Sequence, residues 1–108
     1  MPSNYKVLGQ SAPAATTNTD LYTTPSATQT VISTLAITNR GASTTYRVAI
    51  RPAGAAIANQ HWIVYDATAE ANNSTFLTLG ISLAATDVLT VYAGSASLSF
   101  SAFGVEIT

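Results

Sequence analysis

TVISTLAITNRGASTTYRVAIR, residues 30–51, decides the fold class. In its first half Val31, Leu35 and Ile37 alternate with Ile32, Thr34, Ala36 and Thr38, and Ser33 interrupts the first set. An apolar period of two, built largely from β-branched residues, marks a half-buried strand; a helix would repeat at three and four. NRGAS then supplies a turn, with Gly41 free to take positive φ and Asn39 able to close an Asx-turn. TTYRVAIR resumes the alternation, with Tyr46, Val48 and Ile50 on one face and Arg47, Ala49 and Arg51 on the other. The two halves are expected to pair as a hairpin.

The same period extends outward. Pro52 ends the second strand by removing a ladder donor, and PAGAAIANQ reads as a small-residue loop with room for one short helical turn. HWIVYD is expected as a strand with Trp62 and Val64 on one side and His61, Ile63 and Tyr65 on the other. FLTLGISL places Leu77, Leu79, Ile81 and Leu83 in register, with Gly80 inviting a bend. VLTVYAG has the continuous apolar character of a fully buried strand, and LSFSAFGVEI closes the chain as another. Short strands punctuated by turns every ten residues or so point to an all-β fold, a single antiparallel β-sandwich of Ig-like or jelly-roll-like type. The expected domain covers residues 29–108. Residues 1–28, low in bulky side chains and broken by Pro13 and Pro25, are expected as an extended arm with at most a short strand near Asp20.

Composition narrows the function. The chain has 108 residues, no Cys, a formal net charge of -1 and only 8% charged residues, against about 25% in ordinary soluble proteins. Disulfides and thiolate chemistry are excluded, and no long-range field would gather nucleic acid or anionic lipid. The first ten residues lack the charged and apolar regions of a signal peptide, and no run approaches the roughly 18 apolar residues of a membrane span. Folding in a cytosol is therefore expected.

Catalytic constellations are weak. His61 is the only histidine, and strand alternation puts Asp66 on the opposite face, so no oriented base is expected. Asp20, Asp66, Glu70, Asp87 and Glu106 are scattered through turns and strand ends, with no sign of a glycosidase pair. RPAGAA lacks the second glycine and the Lys-Ser/Thr of a P-loop. The sequons at Asn72 and Asn73 read as a polar turn. No cofactor or metal is expected, and the chain reads as a non-enzyme.

What remains is the gathering of Arg40, Arg47 and Arg51 in one segment of a chain whose only other cation is Lys6. Stacking platforms for nucleic acid are expected to be absent, because Tyr46 and the apolar strands point away from the arginines. Arginine forks suit carboxylates on a neighbouring strand or subunit. Edges guarded by Thr, Ser and Ala rather than by charge need cover, which an assembly provides.

The running text itself is informative. YKVLGQSAPAATTNTDLYT, VISTLAITNRG, TYRVAIRPAGAAIANQHWIVYD and LGISLAATDVLTVYAGSASLSFSAFGVEI, nearly the whole chain, resemble a group of small structural proteins of tailed bacteriophages, above all of marine and cyanobacterial phages. The resemblance implies a virion protein assembled in the host cytoplasm. Decoration (cement) proteins of that kind are small β-rich domains that trimerise and clamp the major capsid protein, and related sandwiches serve in necks, tails and fibre roots. The expected contact residues are Tyr5, Arg40, Arg47, Arg51 and Trp62, with neither nucleic acid nor membrane as partner. From a different class, a carbohydrate-binding module would use Trp62 with Tyr65 or Tyr92 as its platform.

Overall fold

A computed structural model describes residues 2–78 and 80–108, and among these the chain forms two antiparallel sheets packed face to face. The first sheet has the order β1 (Ser3–Ser11), β9 (Leu98–Ile107), β3 (Gln29–Asn39), β6 (Ser74–Leu77). β7 (Ile81–Leu83) pairs with the other end of β3. The second sheet has the order β2 (Thr19–Thr23), β8 (Val88–Ala93), β4 (Thr44–Arg51), β5 (Trp62–Ala69). Ile32, Leu35, Ile37, Leu98 and Phe100 of the first sheet bury against Val48, Leu89, Val91 and Ala93 of the second. A β-sandwich is the expected class, and β8 is buried along nearly its whole length as its apolar run requires.

The expected hairpin does not form. β3 gives its two edges to β9 and to β6 and β7, while β4 gives its own to β8 and β5. A period of two fixes which face of a strand turns inward and leaves open whether the next strand lies beside it or across the core. Here it lies across, and NRGAS carries the chain from one sheet to the other. The Asx-turn is present: Asn39 Oδ1 accepts from the Gly41 N–H at 3.0 Å and from the Ser97 hydroxyl at 2.8 Å. Asn39 Nδ2 donates to the carbonyls of Ala42, Ala69 and Glu70 at 2.9, 3.1 and 3.1 Å. One buried amide therefore ties together the crossing, the end of β5 and the turn before β9.

Residues 1–28 are not an arm. β1 pairs with β9 over most of its length, and β2 pairs with β8, so the segment supplies one edge strand to each sheet. Its strands are hard to read because Tyr5 and Val7 face solvent and Leu21 is the extra residue of a bulge. The two edges come very close at Gly9: a Cβ there would lie 2.3 Å from the Leu21 carbonyl oxygen.

Bulges correct the other facial assignments. Ser33 is an extra residue opposite Phe103, so Val31 turns outward and Ile32 inward, the reverse of a strict alternation. On β5, Val64 sits opposite Val48 and faces the core, whereas Trp62 sits opposite Ala49 on the outer face with Ile63 extra between them. A second bulge sets Tyr65 and Asp66 together opposite Arg47, and Asp66 takes φ 54°, a left-handed conformation that aspartate tolerates better than most residues. His61 lies outside the strand, at the end of a single helical turn (Asn59–His61). Gly80, at φ 61°, bends the chain between β6 and β7, and Leu77, Ile81 and Leu83 pack on the core as expected. Leu79 lies outside the described residues.

Candidate functional site

The outer face of the second sheet collects the residues singled out by sequence. β4 is an inner strand, and its alternation pushes Arg47, Ala49 and Arg51 out of the sandwich. Arg47 is flanked by Tyr92 on β8 and by the bulge pair Tyr65–Asp66 on β5. Its Nε donates to Asp66 Oδ1 at 2.6 Å and its terminal nitrogen to Oδ2 at 3.3 Å, a forked pair. The guanidinium carbon lies 4.1 Å from the centre of the Tyr65 ring, 4.3 Å from Tyr92 and 5.7 Å from Trp62. The bond to Asp66 holds the Arg47 guanidinium above its already high ordinary pKa, so it is a permanent cation. Trp62 meets Tyr65 edge to face, with centroids 5.5 Å apart and planes at 72°. Asn59, Trp62 and Tyr65 line a shallow hollow of about 270 Å³.

Arg51 makes a second network on the same face. It donates to Asp20 at 2.7 Å and to the Thr90 hydroxyl at 2.9 Å, and that hydroxyl donates to Asp20 in turn at 3.1 Å. Its remaining terminal nitrogen clamps the carbonyls of Gly54 and Ala55. Arg40 lies apart, on the crossing between sheets, where its side chain reaches the Ala96 carbonyl at 3.4 Å. Two of the three arginines thus meet carboxylates, as their chemistry suggests, and both carboxylates belong to the same chain. The sequence reading misplaced the aromatics. Tyr46 does point inward, but Trp62, Tyr65 and Tyr92 share the arginine face, because bulges at Ile63 and Asp66 reset β5. The usable signal was charge: Arg47 and Asp66 are opposite in sign, and each lies at the middle of a strand.

His61 is nearly buried, and its Nδ1 accepts from the Ala58 N–H at 3.0 Å, the bond of a structural side chain. Asp87 accepts from the backbone N–H groups of Ala53 and Ala84, both at 2.9 Å, and so holds two loops together. Glu106 is buried between sheets, 2.8 Å from Lys6 and 2.5 Å from the Tyr22 hydroxyl, which also contacts Thr30 at 2.8 Å. Lys6 and then Tyr22 hold the Glu106 carboxyl below the ordinary range, while burial and that same carboxylate push Tyr22 up to about 12. No group of three or more His, Asp and Glu that could hold a metal is present among the described residues.

The outer face of the first sheet is different in kind. Tyr5 stands opposite Val105, Val7 opposite Phe103 and Phe76 opposite Ala36. Tyr5 is 82% exposed, Phe76 66%, Val7 50% and Phe103 36%. The charged side chains of this sheet, Lys6 and Glu106, alternate onto its other face and pair with each other. Comparison with protein-family models, curated proteins and solved structures returned no match for this chain.

Proposed function

We propose that this chain is a non-enzymatic structural protein of a phage virion, a decoration (cement) subunit that stabilises the mature head by binding across neighbouring copies of the major capsid protein. The observation that carries this reading is the uncharged outer face of the first sheet. Tyr5, Val7 and Phe103 expose neighbouring apolar surface, and Phe76 adds a further exposed ring on the same face, with no ionic group among them; exposed apolar surface of that kind marks a contact region. A lattice that presents the matching surface only after maturation would be stabilised by mass action. The resemblance of the sequence to small phage structural proteins supports the same reading, and a trimer assembled in the host cytoplasm is the form it favours. Arg47 and Arg51 are engaged within the chain, so the contact rests on Tyr5 and its apolar neighbours and not on arginine pairing across subunits.

The test is sedimentation of the purified protein with separated heads and tails of the phage that carries it, alongside its mass by light scattering. Co-sedimentation with heads, lost in the double variant Tyr5→Ser/Phe103→Ser whose fold is intact, is the expected result. Binding to tails alone moves the protein to the neck, tail or fibre root. A monomer that binds neither overturns the proposal.

A further inference from the structure

We infer that the notch formed by Trp62 and Tyr65, bordered by Asn59, Asp66 and Arg47, is a binding site for one ring of a neutral glycan. This lies on the sheet opposite the proposed contact face and is independent of it. A pyranose offers an apolar patch of C–H groups on its face and hydroxyls at its rim. It is bound by exposed aromatic faces flanked by hydrogen-bonding groups. Tyr65 is 59% exposed and Trp62 half-buried, and their planes meet at 72°, so together they form a corner that can take one ring. The hollow of about 270 Å³ is shallow and falls just under the ~300–1,000 Å³ of most ligand pockets, room for one sugar ring and not for an extended chain.

The polar groups select among possible occupants. Arg47 is neutralised by a forked bond to Asp66, and Arg51 by Asp20, so the face carries no net positive charge to attract phosphates. A dry protein–protein contact would have to desolvate the Arg47–Asp66 pair, whose carboxylate side chain is 43% exposed, and burying such a pair is costly. A sugar avoids that cost because its hydroxyls replace water on Asp66 and on the exposed amide of Asn59. The bond to Arg47 and the stacking of that guanidinium on Tyr65 and Tyr92 hold the Tyr65 ring and the carboxylate in place before any ligand arrives.

Trp62 is the only tryptophan, so its emission reports this site alone. The test titrates the intact protein with short oligomers of glucose, galactose, mannose and N-acetylglucosamine, and with oligothymidylate, following fluorescence and amide NMR shifts. The expected result is a saturable change with at least one neutral oligosaccharide, at a Kd of about 0.1–10 mM. Shifts would map to residues 59–66, 47 and 92. Tyr65→Ala, with an unchanged melting temperature, should weaken binding by about tenfold or more, while Trp62→Phe should retain it in the NMR titration. Silence across the whole sugar panel overturns the inference. So does binding to oligothymidylate alone, which would make the face a stacking site for single-stranded nucleic acid.

Discussion

Replacing Asn39 by alanine should remove more stability than any other substitution of a single polar side chain in the molecule. Asn39 is 2% exposed and its amide serves five partners: its two N–H groups reach three carbonyls, one N–H being shared, and its oxygen accepts twice. The bond to the Ala69 carbonyl is fully buried, so truncation leaves an acceptor that water does not reach, at about 1–3 kcal/mol. The other four are partly buried; water can replace their partner, which limits each to about 0.5 kcal/mol. The sum reaches roughly 3–5 kcal/mol, a large part of the ~5–15 kcal/mol that holds a domain of this size, and lowers Tm by roughly 10–20 °C. Urea unfolding followed by circular dichroism and by Trp62 fluorescence measures it, with coincident transitions as the check that unfolding is two-state. Asn39→Asp should be no better than alanine, because a carboxylate has no N–H to give the three carbonyls. Ser97→Ala, which removes one of the five bonds, should cost about 0.5 kcal/mol. A loss below about 1 kcal/mol for Asn39→Ala would show that the crossing is held by strand pairing alone and would refute the reasoning.

Stability should fall at both ends of the pH scale, in large part through the cluster of Glu106 and Tyr22. Glu106 has a folded pKa below its ordinary value, so its contribution is complete above about pH 4.3 and fades as pH drops through the folded value. Tyr22 has a folded pKa of about 12, so its contribution is complete below about pH 10 and is lost as pH climbs through 12; Glu106→Gln should flatten the acid limb of a Tm–pH profile, and Tyr22→Phe should reduce the alkaline one to the share of Tyr46, whose hydroxyl is also pushed up by burial. Gly104→Ala should prevent folding or cost several kcal/mol, since its Cβ would lie 2.0 Å from the Val31 carbonyl oxygen in the neighbouring strand, and soluble expression with circular dichroism reads this directly. Asp66→Ala should lower the urea unfolding midpoint, by removing the fork to Arg47 and placing alanine at φ 54°.

The sandwich was legible in the sequence because a period of two runs through β4 and the second half of β3. Tyr46, Val48 and Ile50 face inward as read, and so do Leu35 and Ile37. Strand partnership was not legible: alternation is identical for a hairpin and for strands facing each other across a core, and the pairing of β3 with β9 and of β4 with β8 is set by residues far away in the chain. The arm was misread because an edge strand with Tyr5 and Val7 turned outward loses the contrast between buried and exposed residues. The site was half legible. Carboxylates for Arg47 and Arg51 were expected, but the aromatics around Arg47 depend on two inserted residues in β5, Ile63 and Tyr65 or Asp66, and a bulge leaves no mark in the pattern of side chains except a broken alternation.

Those bulges also blunt one edge of so uncharged a chain against pairing with its copies. β5 borders the second sheet and carries no lysine or proline within its eight residues, the usual guards of an edge. Two register shifts within five residues of that strand, together with the left-handed backbone at Asp66, break the straight row of N–H and C=O groups that a further strand would need. The same distortion brings Trp62 onto the outer face and sets Tyr65 and Asp66 side by side over Arg47. The edge is thus closed to strand addition by the irregularity that builds the aromatic notch. A single insertion-free β5 would be expected to lose both properties together: the notch because Tyr65 and Asp66 could no longer share one partner, the protection because the ladder would run straight.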